Sequence, residues 1–444
     1  MNDKPLFQKS SLLYFLLLLS CIAYHILSYQ TERENFIQVI SLFAFLFIIY
    51  FFVFKYYSIT HFRQLIIAGM FFRLLLLFSI PNLSDDVYRF VWDGRLAANG
   101  INPFKYLPSE VMQMAPLPGL TKELYGQLNS PGYYTIYPPV LQWIFLLAAK
   151  VFPVSVPGAI VFMKCIIVIV EAGTFFLLSL IQRKHTSSPH LSLLYILNPL
   201  VIMELTGNVH FEGVMIFFML SAFSFLLNNK WRHSAMALGL GVAAKFVPII
   251  FIPLMVFKLG WKKGLLYSLI TAATSLFVFA LALDMATIKN LMNSANLFVQ
   301  HFEFNASIYY LIRYFGTLVK GYNIIAIAGP LLYLFSAAVI LFISFYRRKT
   351  SVIPFFNKAL LIITTWYIFA TIVHPWYICL PVALAVFTPY RYAMVWSFTA
   401  TFSYAAYQTN PVRENLWLIA MGYILMICYG LWEMKQNEVF VSKD

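Results

Sequence analysis

The sequence predicts an all-α polytopic membrane protein. Hydrophobic residues make up 61% of the 444 residues and charged residues only 11%, whereas a soluble domain carries roughly 25% charged residues. The mean hydropathy is +0.77. The formal net charge is +14, but the basic residues stand at the ends of apolar runs, as expected beside phospholipid headgroups. This placement argues against nucleic acid as a partner and indicates the lipid bilayer instead.

Apolar runs long enough to cross the bilayer recur along the whole chain, and we expect about 12 to 13 transmembrane helices across about 30 Å of hydrocarbon. They lie near 11–29, 36–54, 64–81, 157–181, 190–207, 211–228, 264–283, 322–346, 354–373, 376–390, 392–408 and 415–433. No soluble domain stands between them, so 1–444 form a single integral-membrane domain.

Two regions do not fit simple spans. If 136–153 crossed the membrane, the next run would carry Arg183 and Lys184 to the wrong side, so we interpret it as a re-entrant or interfacial helix. Segment 233–257 begins and ends with cytoplasmic charge, which predicts a broken pair of short helices turning near Lys245 to Pro248. Such a break is tolerated where it is buried in protein or lines a cavity.

The distribution of lysine and arginine predicts the orientation of the chain. The cytoplasmic markers are Lys4, Lys9, Lys55, Arg63, Arg183, Lys184, Lys230, Arg232, Lys258, Lys262, Lys263, Arg347, Arg348, Lys349 and Arg391. The connections at 82–135, 207–213, 284–306, 374–376 and 409–414 then lie on the outer side. These outer connections carry nearly all of the unusual polar residues.

The longest outer connection, 82–135, opens with the acidic stretch Ser84 to Arg95, and we interpret it as a catalytic loop. A helix capped by Ser84 places Asp85 and Asp86 in its first turn, where the helix dipole favours negative charge. Arg89 then lies within one turn of both aspartates and of Asp93. The opposite face is apolar, with Val87, Phe90, Val91, Gly94 and Ala98, and Asn99-Gly100 ends the helix. The stretch is either an amphipathic surface helix with internal ion pairs or the carrier of a catalytic carboxylate.

Further ionisable residues lie in or beside the predicted spans, where they are costly and often functional. Lys245 is either a lysine snorkelling to the interface or a point charge for a phosphate. His210, Glu212 and His374 are either interfacial hydrogen-bonding residues or part of a site. Arg313, in an aromatic-rich amphipathic helix, is either a membrane-surface anchor or a phosphate ligand.

No cofactor is required by these residues. The four cysteines lie inside apolar runs with no disulfide framework and no metal-ligand spacing. His210, Glu212 and His374 have no short ligand spacing either, so no metal site is predicted and nothing supports a divalent ion.

Carboxylates that take a proton, together with cations that receive an anion, suit sugar transfer from a lipid phosphate. The acceptor hydroxyl needs a general base as it attacks the anomeric carbon, and the transition state has oxocarbenium character. The leaving phosphate is stabilised by cations without an acid catalyst. A lipid tail in the bilayer would explain why such an enzyme is nearly all transmembrane helix.

The acidic stretch resembles the signature of polyprenol-phosphate-mannose-dependent mannosyltransferases of the GT-C class. The matching segments keep one order along the chain: Asp85 to Gly94, Gly100 to Phe104, Tyr137-Pro138-Pro139, Asn198-Pro199, His210-Phe211-Glu212-Gly213, the Lys245 segment and His374-Pro375-Trp376-Tyr377. The resemblance implies a GT-C-like bundle whose long outer loop carries amphipathic helices. It also implies Asp85 or Asp86 as the base, and we favour Asp86 because Arg89 lies one turn on. Glu212 stands where relatives often have aspartate.

We therefore expect a glycosyltransferase of the inner membrane of a bacterium, with its active site on the periplasmic side. It would move a sugar, mannose by family preference, from a polyprenyl phosphate to a glycan or glycolipid acceptor, with inversion because a single displacement needs no protein nucleophile. The candidate catalytic residues are Asp86 and Asp85. The candidate substrate-binding residues are Arg89, Asp93, Arg95, His210, Glu212, Lys245, Arg313, His374, Trp376 and Tyr377.

Two other classes of function remain open. A secondary transporter or a lipid or glycolipid flippase would also place ionisable groups on broken helices, often in two related halves. The sequence shows no such halves, and its acidic cluster lies in a loop. A non-enzymatic membrane scaffold would leave the clustered outer carboxylates unexplained.

Overall fold

The structure of the chain is a computed structural model that describes residues 9–186, 188–282, 284–346 and 351–441. Within these ranges the regular structure is helical, and the β pairing that they contain is an isolated bridge between Phe304 and Ile372. The predicted all-α polytopic membrane architecture is confirmed. The predicted cytoplasmic residues Lys4, Arg347, Arg348 and Lys349 lie outside the described residues.

The first half of the chain forms ten of the described helices. They are α1 (Ser10–Tyr29), α2 (Phe36–Tyr57), α3 (Phe62–Leu75), α4 (Asp86–Ala98), α5 (Pro108–Val111), α6 (Lys122–Gly126), α7 (Pro139–Val151), α8 (Val156–His185), α9 (Leu193–Ile196) and α10 (Pro199–Val201). A 3₁₀ turn, Pro189–Ser192, precedes α9, and a π-helical turn, Ile202–Gly207, continues α10.

The second half continues the same pattern of long helices separated by short, bent ones. They are α11 (Glu212–Leu227), α12 (Trp231–Ala244), α13 (Ile252–Leu259), α14 (Trp261–Ala280), α15 (Met285–Gln300), α16 (Ile308–Lys320), α17 (Ile325–Phe345), α18 (Val352–Phe369), α19 (Cys379–Ala385), α20 (Tyr392–Thr399) and α21 (Leu416–Val441). Three 3₁₀ segments connect them, at Val247–Phe251, Pro375–Ile378 and Ala400–Gln408.

Full-length helical spans make up part of the sequence prediction. Among the described residues, seven helices are long and apolar enough to cross a bilayer, namely α1, α2, α8, α14, α17, α18 and α21. An eighth span is formed if Pro189–Ile196 and Pro199–Gly207, which meet at a 52° bend, act as one. These seven or eight helices account for part of the expected 12 to 13 spans, each crossing about 30 Å of hydrocarbon, and the total number of spans stays a prediction.

Two of the other predicted spans are apolar segments buried in the protein core. The runs 376–390 and 392–408 form short helices instead, and every residue of α19 is buried. A helix that is hydrophobic on all sides lies inside a protein as readily as inside a bilayer. Hydropathy alone cannot distinguish these two environments, whereas the long α1 and α14 keep much of their apolar surface exposed, as lipid contact requires.

The outer loop is held on the bundle by close packing of α4 against α7. A Cβ atom placed on Gly94 would lie 2.2 Å from the backbone oxygen of Phe145, so only glycine allows this approach. Next to it, the rings of Phe90 and Phe145 stack at 4.7 Å, and Phe211 meets Phe90 edge-on at 5.5 Å. Through Phe211 this aromatic cluster fixes α4 relative to the start of α11.

The predicted apolar stripe on α4 is mostly correct and faces the helix bundle. Val87, Phe90, Val91 and Gly94 are buried, whereas Ala98 is exposed. The predicted end of the helix is confirmed, because Gly100 adopts a left-handed φ of 78° just after it.

The predicted helix break near Lys245 is also present. Helix α12 ends at Ala244, Lys245 itself is extended with φ −160° and ψ 138°, and the 3₁₀ segment Val247–Phe251 follows. The region 136–153, predicted as a re-entrant or interfacial helix, contains the 13-residue α7. Its position relative to the bilayer stays a prediction.

Candidate active site

The two aspartates at the start of α4 have different partners. Asp85 is the N-cap residue, so the helix begins one residue later than predicted. The hydroxyl of Ser84 accepts a hydrogen bond from the backbone N–H of Asp86. Asp85 Oδ2 accepts a hydrogen bond from Arg33 Nη1 at 2.5 Å. Asp86 Oδ1 accepts one from the neutral amide of Asn129 at 2.7 Å. Asp85 is thus neutralised by an ion pair from the α1–α2 connection, whereas Asp86 is not.

Asp86 is surrounded by groups that modulate its charge. Burial raises the pKa of its carboxyl above the ordinary value, while hydrogen bonds from Asn129 and Tyr137 and the charge of Lys245 partly offset the shift. A carboxylate with a raised pKa is a stronger base than a free aspartate. Of the two aspartates, Asp86 therefore has the better chemistry for proton abstraction.

Lys245 reaches the same region from the break after α12. Its ammonium group forms an ion pair with Glu212 and lies over the ring of Tyr377, 4.6 Å from the centroid. The side chain remains 29% exposed, whereas that of Glu212 is 3% exposed. The helix break thus leaves a partly accessible cation beside Asp86.

Four aromatic rings form a continuous stack along one side of the site. His210 lies on Trp376 with ring centroids 3.6 Å apart, Trp376 lies on His374 at 4.3 Å, and His374 lies on Phe304 at 4.9 Å. Burial, with the charge of Lys245, lowers the pKa of His374 to about 3, so its imidazole is neutral at physiological pH. Because Trp376 is buried and stacks on two histidines, these contacts favour a role in holding the histidines, and its contact with substrate stays a prediction.

A buried glutamate that the sequence analysis did not single out, Glu204, lies in the π-helical turn. Its Oε1 accepts hydrogen bonds from Asn208 Nδ2 at 3.2 Å and from the hydroxyl of Tyr404. Its Oε2 lies 3.5 Å from His210 Nε2. Val209, just before His210, has a left-handed φ of 61°, a strained conformation for a β-branched residue. A π-turn and a strained residue often mark functional sites.

A second buried network supports the residues that carry His210. Arg73 Nη2 lies 3.0 Å from Glu171 Oε2, and Tyr195 donates to Glu171 Oε1 at 2.9 Å. Arg73 Nη1 also donates to the backbone oxygen of Ile196 at 2.7 Å, at the bend before α10. A Cβ on Gly213 would lie 3.1 Å from Glu171 Oε1. The network therefore joins α3, α8 and α9, and Gly213 at the start of α11 packs closely against it.

The structure gives Arg89 and Asp93 partners within the protein. Arg89 Nε lies 2.8 Å from Asp93 Oδ1, and Arg89 Nη1 donates to the backbone oxygens of Ser130 and Tyr133. Asp93 Oδ2 accepts from Gln142 at 3.0 Å. Of the three carboxylates within one turn of Arg89, it therefore pairs with Asp93, whereas Asp85 and Asp86 pair with Arg33 and Asn129. These contacts favour a role in positioning the loop over contact with substrate.

Arg95 is engaged in the same way. Its guanidinium donates to the backbone oxygens of Gly119 at 2.7 Å and of Val154 at 2.6 Å, and its side chain is buried. It fastens α4 to the later part of the loop and to the turn before α8.

Arg313 belongs to a neighbouring cluster. It forms an ion pair with Glu303 and lies over the ring of Tyr310, whose hydroxyl contacts Glu414. Phe304, next to Glu303 in sequence, connects this cluster to the stack on His374. Arg313 is therefore adjacent to the wall of the site, with its own counter-ion.

The structure brings seven of the candidate residues into one region, and their roles stay predictions: Asp86, Lys245, Glu212, His210, His374, Trp376 and Tyr377. It adds residues that the analysis missed, namely Arg33, Asn129, Glu204 and Tyr404. Glu204 carries a usable signal, because an ionisable residue inside an apolar run is a functional candidate by default. The others are ordinary outer or aromatic residues whose proximity depends on the fold. Among the described residues, no group of three or more His, Cys, Asp or Glu side chains could hold a metal ion.

Comparison with known proteins identifies a family. Residues 20–260, just over half of the chain, match the N-terminal-domain model of the MptA/B family, described as alpha-(1->6)-mannopyranosyltransferase. This range contains Asp85, Asp86, His210, Glu212 and Lys245.

A curated relative carries the same description. Alpha-(1->6)-mannopyranosyltransferase A of Corynebacterium glutamicum is 24% identical over 182 residues, which cover 41% of this chain and 36% of that protein. The match therefore spans about a third of the relative's length. Together with the family match, it confirms the resemblance to GT-C mannosyltransferases that the motifs indicated. The chain belongs to the MptA/B family of alpha-(1->6)-mannopyranosyltransferases.

Proposed function

We propose that this protein transfers mannose from a polyprenyl phosphate to a glycan or glycolipid acceptor on the non-cytoplasmic face of a bacterial inner membrane. Family membership supports the mannosyl transfer. The observation that carries the mechanism is the placement of Asp86 near the partly exposed Lys245: its carboxylate is half-buried and, among the described residues, forms no ion pair.

In this mechanism Asp86 accepts the proton of the acceptor hydroxyl as its oxygen bonds to the anomeric carbon. The bond between that carbon and the phosphate oxygen breaks, and its electron pair leaves with the polyprenyl phosphate. Attack from the face opposite the leaving group inverts the anomeric configuration. Because a phosphate is a stable anion, the departing group needs cations and no proton donor.

Lys245 is the cation best placed for that phosphate. A partly exposed ammonium over an aromatic ring, with a single carboxylate beside it, can turn towards a second anion at small cost. Arg33, Arg89 and Arg313 each have a carboxylate partner of their own. His210, Glu212, His374 and Tyr377 all lie near Lys245 and are the proposed ligands of the sugar.

The membrane orientation rests on the chain's basic residues. Arg183 and Lys184 lie in the last turn of α8, and Lys258 lies in the last turn of α13. Lys230 and Arg232 lie at the start of α12, and the positive-inside rule assigns all five residues to the cytoplasm. The α4 loop then faces the opposite compartment, where lipid-linked sugars are the available activated donors.

Purified protein in liposomes, given a panel of polyprenyl-phosphate sugars and oligomannoside acceptors, tests this function. Mass spectrometry should show gain of one mannose by the acceptor and release of the polyprenyl phosphate, and NMR should show the α linkage that inversion of a β-linked donor produces. Asp86→Asn is the matched inactive control. Transfer directly from a nucleotide sugar, or movement of lipid across the bilayer without transfer, would overturn the proposal.

A further inference from the structure

Two neighbouring buried atoms, one of them on Glu204, have no hydrogen-bond partner among the described residues. Glu204 is completely buried, and its Oε1 has two donors, Asn208 and Tyr404. Among the described residues, neither Glu204 Oε2 nor His210 Nε2 has a hydrogen-bond partner, yet the two atoms are 3.5 Å apart. Buried polar atoms are almost always paired. A single proton between these two atoms would satisfy both.

The proton can lie on either side, and the surroundings decide which. No lysine or arginine forms an ion pair with Glu204 in the described part of the chain, and the negative charge of Asp86 acts on it. A fully buried carboxylate without a cation is costly, whereas a neutral carboxylic acid has an O–H to donate. His210 in turn faces the positive charge of Lys245, which opposes its protonation.

We infer that Glu204 is a positioning residue that, as a neutral acid, donates its Oε2–H to His210 Nε2. This inference rests on the proposed function. The imidazole is then neutral and carries its own hydrogen on Nδ1. Trp376 fixes the plane of the ring by stacking, and Glu204 fixes which nitrogen carries the proton. His210 is thereby held as a hydrogen-bond donor for an oxygen of the sugar or of the phosphate.

Replacement by glutamine gives a sharp test. In E204Q the amide oxygen can still accept from Asn208 and Tyr404, and the NH₂ group can still donate to His210 Nε2. E204Q should therefore keep most of the transferase activity, with wild-type kcat and donor KM. E204A, which removes the donor, should lose at least about 10-fold, as is typical when a group that orients a histidine is removed. E204Q as inactive as E204A would show that a carboxylate is needed, and full activity of E204A would show that no positioning is needed. Either result overturns the inference.

Nitrogen-15 NMR of protein labelled at histidine, in lipid bilayers, reads the tautomer without any activity. The chain has 8 histidines, and the resonances of His210 are those lost in His210→Gln. The wild type and E204Q should both show the Nδ1–H tautomer. At high pH the wild type should switch to Nε2–H as Glu204 ionises and becomes an acceptor, while E204Q should not switch. An Nε2–H tautomer or an imidazolium at neutral pH in the wild type would overturn the inference, even if mannosyl transfer itself is confirmed.

Other titratable groups around the pair must be considered in that titration. Those that act on Glu204 or His210 are Asp86 from α4, Cys379 from α19, Tyr404 and Tyr407 from Ala400–Gln408, and Lys245 and His374. Arg73 and Glu171, on the packed helices α3 and α8, are paired with each other. Because all of these are retained in E204Q, a switch seen only in the wild type is assigned to Glu204.

Discussion

Arg33 Nη1 lies 2.5 Å from Asp85 Oδ2 and separates two adjacent aspartates into different roles. Arg33 also lies over the ring of Tyr407, 5.2 Å from its centroid, so the arginine is fixed from two sides. Asp85 thereby ties α4 to the connection between α1 and α2. Asp86, one residue later, has no such ion pair among the described residues and is the proposed base for the acceptor hydroxyl.

Asp86→Asn should lower kcat by about 10² to 10⁴-fold, the usual contribution of a general base, with the protein still folded. Asp85→Asn should have a much smaller effect, because it loses only a partly exposed ion pair. Rates of mannosyl transfer with purified variants, together with their thermal unfolding temperatures, check both. The assignment is wrong if Asp85→Asn is the inactive variant and Asp86→Asn retains its rate.

The raised pKa of Asp86 predicts an acid limb in the pH profile of kcat/KM, centred above the ordinary aspartate value of 3.8. The base works only when deprotonated, so activity falls as the pH falls through that value. Lys245→Met removes a positive charge that favours the carboxylate, and the limb should move to higher pH. A limb that stays at the same pH in this variant would mean that another group is titrating.

Stability should depend on the pH in the opposite sense to activity. Because folding raises the pKa of Asp86, the folded state binds the proton more tightly than the unfolded chain, and the stabilisation is lost as the pH rises through the folded pKa. Asp86→Asn should therefore unfold at an equal or higher temperature than the wild type at neutral pH. A clear decrease would indicate a structural role for the charge.

Lys245→Met should raise the KM for the polyprenyl-phosphate donor more than the KM for the acceptor. A charge-assisted hydrogen bond contributes about 1.5–3 kcal/mol, or about 10- to 100-fold in affinity. Lys245→Arg, which keeps the charge, is the matched control, and its donor KM should lie between those of the wild type and Lys245→Met. Equal changes in both KM values would remove Lys245 from the phosphate site.

Arg89→Met should mainly reduce stability. It leaves the buried Asp93 without its cation and removes the hydrogen bonds to Ser130 and Tyr133. Breaking a buried ion pair typically costs about 3–5 kcal/mol. The double variant Arg89→Met with Asp93→Leu should recover part of the unfolding temperature. Unchanged stability with a raised donor KM would instead make Arg89 a substrate ligand.

Gly94→Ala should separate α4 from α7, because the added methyl group would overlap the backbone of Phe145. Overpacking of this kind costs about 1–3 kcal/mol or more, and activity should fall with it because Asp86 is carried by α4. Gly132→Ala, in the same loop with no atom within 4 Å of the added Cβ, should leave the unfolding temperature unchanged. Similar behaviour of the two variants would contradict the proposed packing.

Most of the chemistry in this chain could be found without the fold. The acidic stretch, the break at Lys245 and the His374 segment each stand out locally, because charges and helix breakers inside apolar sequence are conspicuous. The burial of two apolar runs could not be found in the same way. The segments around α19 and α20 are as apolar as lipid-facing helices, and only their burial inside the bundle distinguishes them.

The sequence by itself determined the class of protein, the helix in the acidic stretch, the helix break at Lys245 and the family, since these follow from composition and from patterns a few residues long. Only the tertiary structure decided that Arg33 neutralises Asp85, that Arg89 faces inward, and that Tyr404 and His210 meet at Glu204. Tyr404 and Glu204 lie 200 positions apart in the chain. Hydrogen bonds and ion pairs act over a few ångströms, so packing selects such partners.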